Sequence, residues 1–352
     1  MKYYPKLDGI RALAVTGVLV EHYIPAASFV HLFSWGALGV QCFFVLSGYL
    51  ITGILLESKK RGSSFSSIIR SFFARRFLRI FPPYYAMLFT CLAFGVTYTL
   101  PVFASALLYV FNIQQAVSPN GDYPYLGHIW SLCIEEQFYL IWPWIVLLPS
   151  PNRLLQISIL LIVLSVLSRG ILLSIGWDYL SVRNLPTSQL DALIGGSILA
   201  QISNGNFQRI AQQWNKIFIG VMAIAAIVYI GSMHAPIWSL QGPTLGLLAS
   251  SIFFIGCITW ATSTEGRTSR FPKILDCKPL VYLGKISYGI YLYHFISLFF
   301  VYKFISLSGT SDSMTNPWLF IPIWTVFTLL LATTSWHWFE KPILKLKRRF
   351  QY

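Results

Sequence analysis

The stretch LDGIRALAVTGVLVEHY, residues 7–23, decides the fold class. It has the length and apolar content of a membrane span, yet it carries Asp8, Arg11, Glu21 and His22. An ionisable group at membrane depth costs a few kcal/mol even on the gentler insertion scales, so local partners must offset it. Arg11 and His22 are eleven residues apart, and eleven steps of 100° close almost three helical turns. Both side chains therefore point along one face, separated by roughly 16 Å of rise. Arg11 stands near the cytoplasmic mouth and His22 past the midplane, toward the outer side. That arrangement suits a polar pair that packs helices together. It also suits an anion-binding arginine below a titratable base, because histidine moves protons near neutral pH.

The rest of the chain supports a membrane setting. Its 352 residues are 55% hydrophobic and 11% charged, with a mean hydropathy of +0.62. Soluble domains run near 25% charged. Ten apolar segments stand out, at 8–28, 36–56, 80–98, 129–148, 155–175, 188–202, 217–233, 243–262, 281–302 and 317–337. Most approach the roughly 20 residues a spanning helix needs. The formal charge of +14 raises nucleic acid as a partner, but no basic soluble domain exists to bind one. With a cytoplasmic N-terminus, 21 of the 26 Lys and Arg fall on the inner side, in 1–7, 57–79, 149–154, 203–216, 263–280 and 338–352. Only Arg183 and Lys303 fall outside, and Arg11, Arg169 and Lys285 lie within spans. That asymmetry predicts an all-α bundle of about ten transmembrane helices with both termini cytoplasmic, forming a single domain over 1–352.

Segment 101–117 breaks the alternation, and a full crossing there would invert every later loop. It reads as re-entrant or interfacial, and Asn112, Gln114 and Gln115 suit burial in protein or a water-lined wall. Ala26-Ala27-Ser28 resembles a signal cleavage site, but Arg11, Glu21 and His22 interrupt the apolar region such a signal needs. Cys42, Cys91, Cys133, Cys257 and Cys277 are scattered without a CxxC, which speaks against a metal site.

Further stretches concentrate chemistry. FFARRFLRIFPPYY, residues 72–85, places Arg75, Arg76 and Arg79 within about one turn, with Pro82-Pro83 expected to break the helix before the span proper. Positive-inside topology alone accounts for these arginines, but guanidinium groups also grip phosphate bidentately. HIWSLCIEEQFYLIWP, residues 128–143, puts Glu135 and Glu136 just inside the outer face, about 100° apart. One is expected to face the bundle core and the other a loop or water. GKISYGIYLYHF, residues 284–295, sets His294 mid-span among tyrosines, where it reads as a satisfied core polar group. HWFEKP, residues 337–342, reads as a helix-terminating anchor.

LDGIRA with His22, FFVLSGYLIT (43–52), FFARRFLRIFPPYY, WSLCIEEQFYL, ISYGIYLYH and HWFEKP, in this order, resemble the membrane-bound acyltransferase family 3. The resemblance covers residues 7 to about 345 and, with the chain ending at Tyr352, is closest to the stand-alone type without a fused extracytoplasmic hydrolase domain. It implies functional roles for Arg11 and His22, for Arg76 and Arg79, and for the S-x-x-x-E-x-x-F-Y glutamate, with Ser131, Glu135, Phe138 and Tyr139. Glu135 is chosen over Glu136 by motif register alone. The implied reaction moves an acyl group, usually acetyl, from cytoplasmic acyl-CoA to a hydroxyl of a glycan or glycolipid, in the bacterial cytoplasmic (inner) membrane. No metal is implied.

The expected site has catalytic His22, Glu135 and Arg11, with Arg75, Arg76 and Arg79 holding the donor phosphates. Asp8, Glu136, Ser131, Tyr139 and His294 are supporting residues. Glu135 is expected to orient His22 or fix the acceptor. O-antigen (lipopolysaccharide) or exopolysaccharide leads as acceptor, with a small antibiotic-like glycoside behind it. Loops 118–128 and 176–187 are expected to set that choice. The competing class is a transporter or flippase, which also carries ionisable residues at depth.

Overall fold

A computed structural model of the chain describes residues 3–25, 28, 33–96, 99–119, 121, 123, 125–203, 215–234, 242–262, 270–307 and 316–350. Ala26, Ala27, Asn120, Asp122, Pro124, Arg209 and Arg267, all in segments read above, lie outside the described residues. Those residues that are described form helices, turns and irregular links, with no strand among them. In chain order the helices are α1 (Pro5–Tyr23), α2 (Trp35–Lys60), α3 (Phe65–Ala93), α4 (Leu100–Leu107) and α5 (Phe111–Val117). Next come α6 (Trp130–Leu147), α7 (Pro151–Ser174), α8 (Tyr179–Arg183), α9 (Leu190–Ser203) and α10 (Asn215–His234). The last are α11 (Gly242–Thr262), α12 (Arg270–Leu275), α13 (Lys278–Leu307), α14 (Pro317–Thr334) and α15 (Lys341–Leu344).

Each of the ten apolar segments overlaps one helix: α1, α2, α3, α6, α7, α9, α10, α11, α13 and α14. Among the described residues, five stretches are long and apolar enough to cross a membrane. These are Trp35–Lys60, Pro151–Ser174, Thr244–Thr262, Lys278–Leu307 and Pro317–Arg349. Helices α1, α3 and α6 carry the site's charged residues, and α9 has only 14 residues. The exterior matches a lipid environment. Helix α7 turns Ile159, Leu160, Val163, Leu164, Leu167 and Ile171 outward, a continuous apolar face of the kind that contacts membrane. Trp318 and Trp338 are the most exposed tryptophans among the described residues, 89% and 82%. Twenty residues of helix separate them, about 30 Å of rise, which is the thickness of a bilayer's hydrocarbon core.

Segment 101–117 is not one helix but two short ones, α4 and α5, joined at Tyr109, whose φ of 56° turns the chain. Neither approaches spanning length. Asn112 and Gln115 are buried and bond protein groups, Asn184 O at 3.1 Å and Gly127 O at 3.1 Å. Two helix-break expectations are corrected. Helix α3 runs unbroken through Pro82-Pro83, in a setting where neighbouring helices can satisfy the backbone that prolines leave unpaired. In the same turn the Tyr288 hydroxyl donates to Ile80 O at 2.9 Å. The HWFEKP segment does not end its helix either. Ser335–Glu340 winds as one π turn, and helix continues through Lys341–Leu344 into Lys345–Arg349.

Glycines let the central helices touch. A Cβ on Gly48 would stand 1.7 Å from Leu193 O, and one on Gly196 would stand 2.0 Å from Val45 O, so α2 and α9 meet backbone to backbone. A Cβ on Gly284 would stand 1.9 Å from Asp8 O, which seats α13 directly against α1. Away from the site, Arg169 of α7 and Asp191 of α9 form a bidentate pair at 2.9 and 2.8 Å, both fully buried. Arg169 also donates to the Ser188 carbonyl and to Thr244 O at 3.2 Å, so one guanidinium ties α7, α9 and α11 together.

Candidate active site: a charged cavity and a histidine cluster

Five helices surround a cavity of about 130 Å³. Arg11 comes from α1, Ser47 from α2, Arg76 and Arg79 from α3, and Tyr288 and Tyr291 from α13. Helix α6 presents Ser131, Glu135 and Tyr139, spaced i, i+4, i+8 and hence on one face, together with Glu136. The two glutamates thus line the same cavity, which corrects the expectation that they face different surroundings. The 100° between them is absorbed because the cavity wraps around α6.

Their bonding differs. Ser47 donates to Glu135 Oε1 at 2.6 Å, and Tyr139 donates to Ser47 Oγ at 3.0 Å. Glu136 Oε1 is buried without a hydrogen-bond partner among the described residues. Arg11 donates to Asp8 Oδ1 at 2.6 Å, and Tyr3 donates to Asp8 Oδ2 at 2.6 Å, so Asp8 holds the arginine at the cavity's edge. This pair is the local compensation that the first helix requires.

Arg76 lies 5.0 Å from the Tyr139 ring, and Arg79 lies 5.5 Å from the Trp336 ring in the π turn. Three residues apart, they share a face toward the cavity. Arg75 does not join them: its Nη1 donates to Phe350 O at 3.1 Å, tying α3 to the C-terminal segment. The expected arginine trio is therefore a pair in the cavity and a third outside it.

His22 does not line the cavity either. Its Nδ1 is 3.1 Å from His294 Nε2, and its ring stacks on that of His294 with centroids 5.0 Å apart. His294 Nδ1 is 2.6 Å from Tyr291 O, and the His128 ring lies 4.6 Å from His294. Glu135 bonds Ser47, and its expected partnership with His22 is not what the structure shows. Ser131 and Tyr291 join the two compartments. The Tyr291 hydroxyl donates to His128 O at 2.8 Å and accepts from Ser131 Oγ at 2.6 Å.

Three further residues belong to the site. Ser47 and His128 lay inside quoted motifs without a role. Arg183 lay in the 176–187 loop; its guanidinium sits 4.9 Å from the Trp130 ring, and its Nε is buried without a hydrogen-bond partner among the described residues. Among those residues no group of His, Cys, Asp or Glu is arranged to hold a metal.

The chain matches the family described as acyltransferase domain over residues 4–337. It is 30% identical to YrhL of Bacillus subtilis, over 97% of this chain and 55% of that protein. It is 32% identical to the peptidoglycan O-acetyltransferase OatA of Listeria monocytogenes, over 98% of this chain and 56% of that protein. It is 28% identical to the O-acetyltransferase OatA of Staphylococcus aureus, over 98% of this chain and 58% of that protein. The chain therefore spans just over half the length of these curated relatives. No solved structure matches it. From its match over nearly all of its length, the chain belongs to the acyltransferase-domain family.

Proposed function

We propose that this chain is a membrane O-acetyltransferase that passes an acetyl group from cytoplasmic acyl-CoA to a hydroxyl of a cell-wall glycan. The observation that carries this reading is the division of one first helix between two compartments. Arg11 sits in a cavity with two more arginines, and His22 sits beyond the Ser131–Tyr291 pair in a histidine cluster. Ten crossings with both termini cytoplasmic, as the basic loops favour, place the arginines at the inner side and His22 toward the outer side. The chain then resides in the bacterial cytoplasmic membrane.

Arg76 and Arg79 hold the donor's phosphates, with Arg11 guiding the pantetheine arm. The cavity's volume lies below the roughly 300–1,000 Å³ of a pocket for a drug-sized ligand. Only the thioester end enters it and passes the Ser131–Tyr291 pair to reach His22, while the nucleotide stays at the inner mouth. The acceptor arrives from the outer side past Arg183. Its hydroxyl gives a proton to the free ring nitrogen of His22 while its oxygen bonds the thioester carbonyl carbon. The C–S bond breaks, and the proton passes to the departing CoA thiolate.

The names of the relatives shift the preferred acceptor from O-antigen or exopolysaccharide to peptidoglycan. Family membership also sets the carrier alternative aside. The test is release of free thiol from acetyl-CoA by purified protein, wild type beside His22→Ala. Release that depends on His22 supports the reading; equal release from both proteins removes His22 from the chemistry.

A further inference from the structure

His294 lies 272 residues from His22 in the chain, yet their ring nitrogens are 3.1 Å apart. The partners around them determine where the protons sit. Tyr291 O, 2.6 Å from His294 Nδ1, is a carbonyl and can only accept, so His294 Nδ1 carries a hydrogen. A neutral imidazole has one N–H, which leaves His294 Nε2 as a lone-pair acceptor. His22 Nδ1 must then donate to it. The remaining nitrogen of His22, Nε2, is left bare.

We infer that His294 is a positioning residue that fixes His22 in the Nδ1–H tautomer and thereby presents His22 Nε2 as the proton-accepting atom of the transfer reaction. This rests on the reading of His22 as the base. The bond also strengthens when it is needed. When His22 Nε2 takes the acceptor's proton, the ring becomes an imidazolium, and its Nδ1–H bond to His294 becomes charge-assisted. A neutral orienting partner does this without burying a permanent second charge.

The position of His294 is enforced from behind. Its side chain is fully buried, and its own carbonyl accepts from Trp324 Nε1 at 2.7 Å and from Ser297 Oγ at 2.7 Å. Phe295 packs against both rings, with centroids 4.7 Å from His22 and 4.5 Å from His294. The imidazoles are therefore held in one relative orientation, as a tautomer-setting contact requires.

Two variants and one spectrum test this. His294→Phe keeps ring volume and removes the acceptor; His294→Gln restores an amide oxygen to accept and an N–H to donate. CoA release by His294→Phe should show kcat lower by about 10- to 10³-fold with donor KM nearly unchanged, which is less than the about 10⁴-fold lost where an ionised orienting group is removed. His294→Gln should recover at least a tenth of wild-type kcat. In ¹⁵N-histidine-labelled wild-type protein, the His22 shifts, assigned by their loss in His22→Ala, should report a protonated Nδ1 and a bare Nε2. The opposite tautomer overturns the inference even if a variant fails to fold. Wild-type kcat in folded His294→Phe also overturns it, provided His22→Ala is inactive. Full activity in His22→Ala instead overturns the reading of His22 as base, a separate failure.

Discussion

Ser131 of α6 and Tyr291 of α13 share a 2.6 Å hydrogen bond at the boundary between the arginine-lined cavity and the histidine cluster. The Tyr291 hydroxyl spends its one hydrogen on His128 O, so Ser131 is the donor to it. The carbonyl of the same tyrosine accepts from His294. One residue thus lines the cavity with its side chain and holds the histidine cluster with its carbonyl.

Replacing Tyr291 with Phe removes the hydroxyl and leaves the carbonyl contact to His294 in place. Losing such a neutral bond costs about 1 kcal/mol of stability. The larger effect expected is leakage, because water gains access to the thioester. Acetyl-CoA consumption should exceed acceptor acetylation in Tyr291→Phe and match it in wild type. Comparing free thiol with labelled acceptor in one reaction measures this.

Arg76 and Arg79 should separate from Arg75. Each charge-assisted bond to a phosphate is worth about 1.5–3 kcal/mol, so Arg76→Ala and Arg79→Ala should each raise donor KM by about 10- to 100-fold. Arg75→Ala, whose guanidinium bonds Phe350 O, should leave donor KM within about twofold. Steady-state kinetics against acyl-CoA concentration distinguish the three.

Arg183 should report on the other substrate. It lies over Trp130 at the end of α8. Arg183→Ala is expected to raise acceptor KM by about tenfold while donor KM stays within twofold. A kinetic matrix varying donor and acceptor together reads both constants.

The Arg169–Asp191 pair should matter for stability and not for chemistry. Asp191→Asn leaves a buried guanidinium without its counter-charge, a change that costs about 3–5 kcal/mol. Replacing both residues with apolar side chains of similar volume should recover most of that loss. Thermal unfolding of the purified single and double variants in detergent measures the difference.

Much of the fold was legible because lipid enforces a simple rule: a spanning segment must be long, apolar and helical. The ten apolar runs follow from it, and the interruption at 101–117 follows from the side on which the basic loops fall. The unbroken helix at Pro82-Pro83 was not legible, because whether a proline breaks a helix in a bundle depends on neighbours that lie far away in sequence. The shared cavity of Glu135 and Glu136 escaped for a related reason, since side-chain angle on α6 says nothing of how far a cavity wraps around it. His294 read as a core group because nothing near it in sequence shows that α1 and α13 meet at Gly284, which is what brings it to His22. Arg183 was placed in a loop of interest, but its seat over Trp130 depends on how α8 folds back.

The central claim is that acetyl passes from a donor on one side of the membrane to an acceptor on the other, with His22 as the base. The direct measurement uses proteoliposomes of the purified chain, with labelled acetyl-CoA outside and peptidoglycan fragments sealed inside. Label should appear in the trapped acceptor with wild-type protein, in those molecules oriented with the arginine side outward, and not with His22→Ala. Label that appears only when donor and acceptor share a compartment, or equally with His22→Ala, would contradict the route.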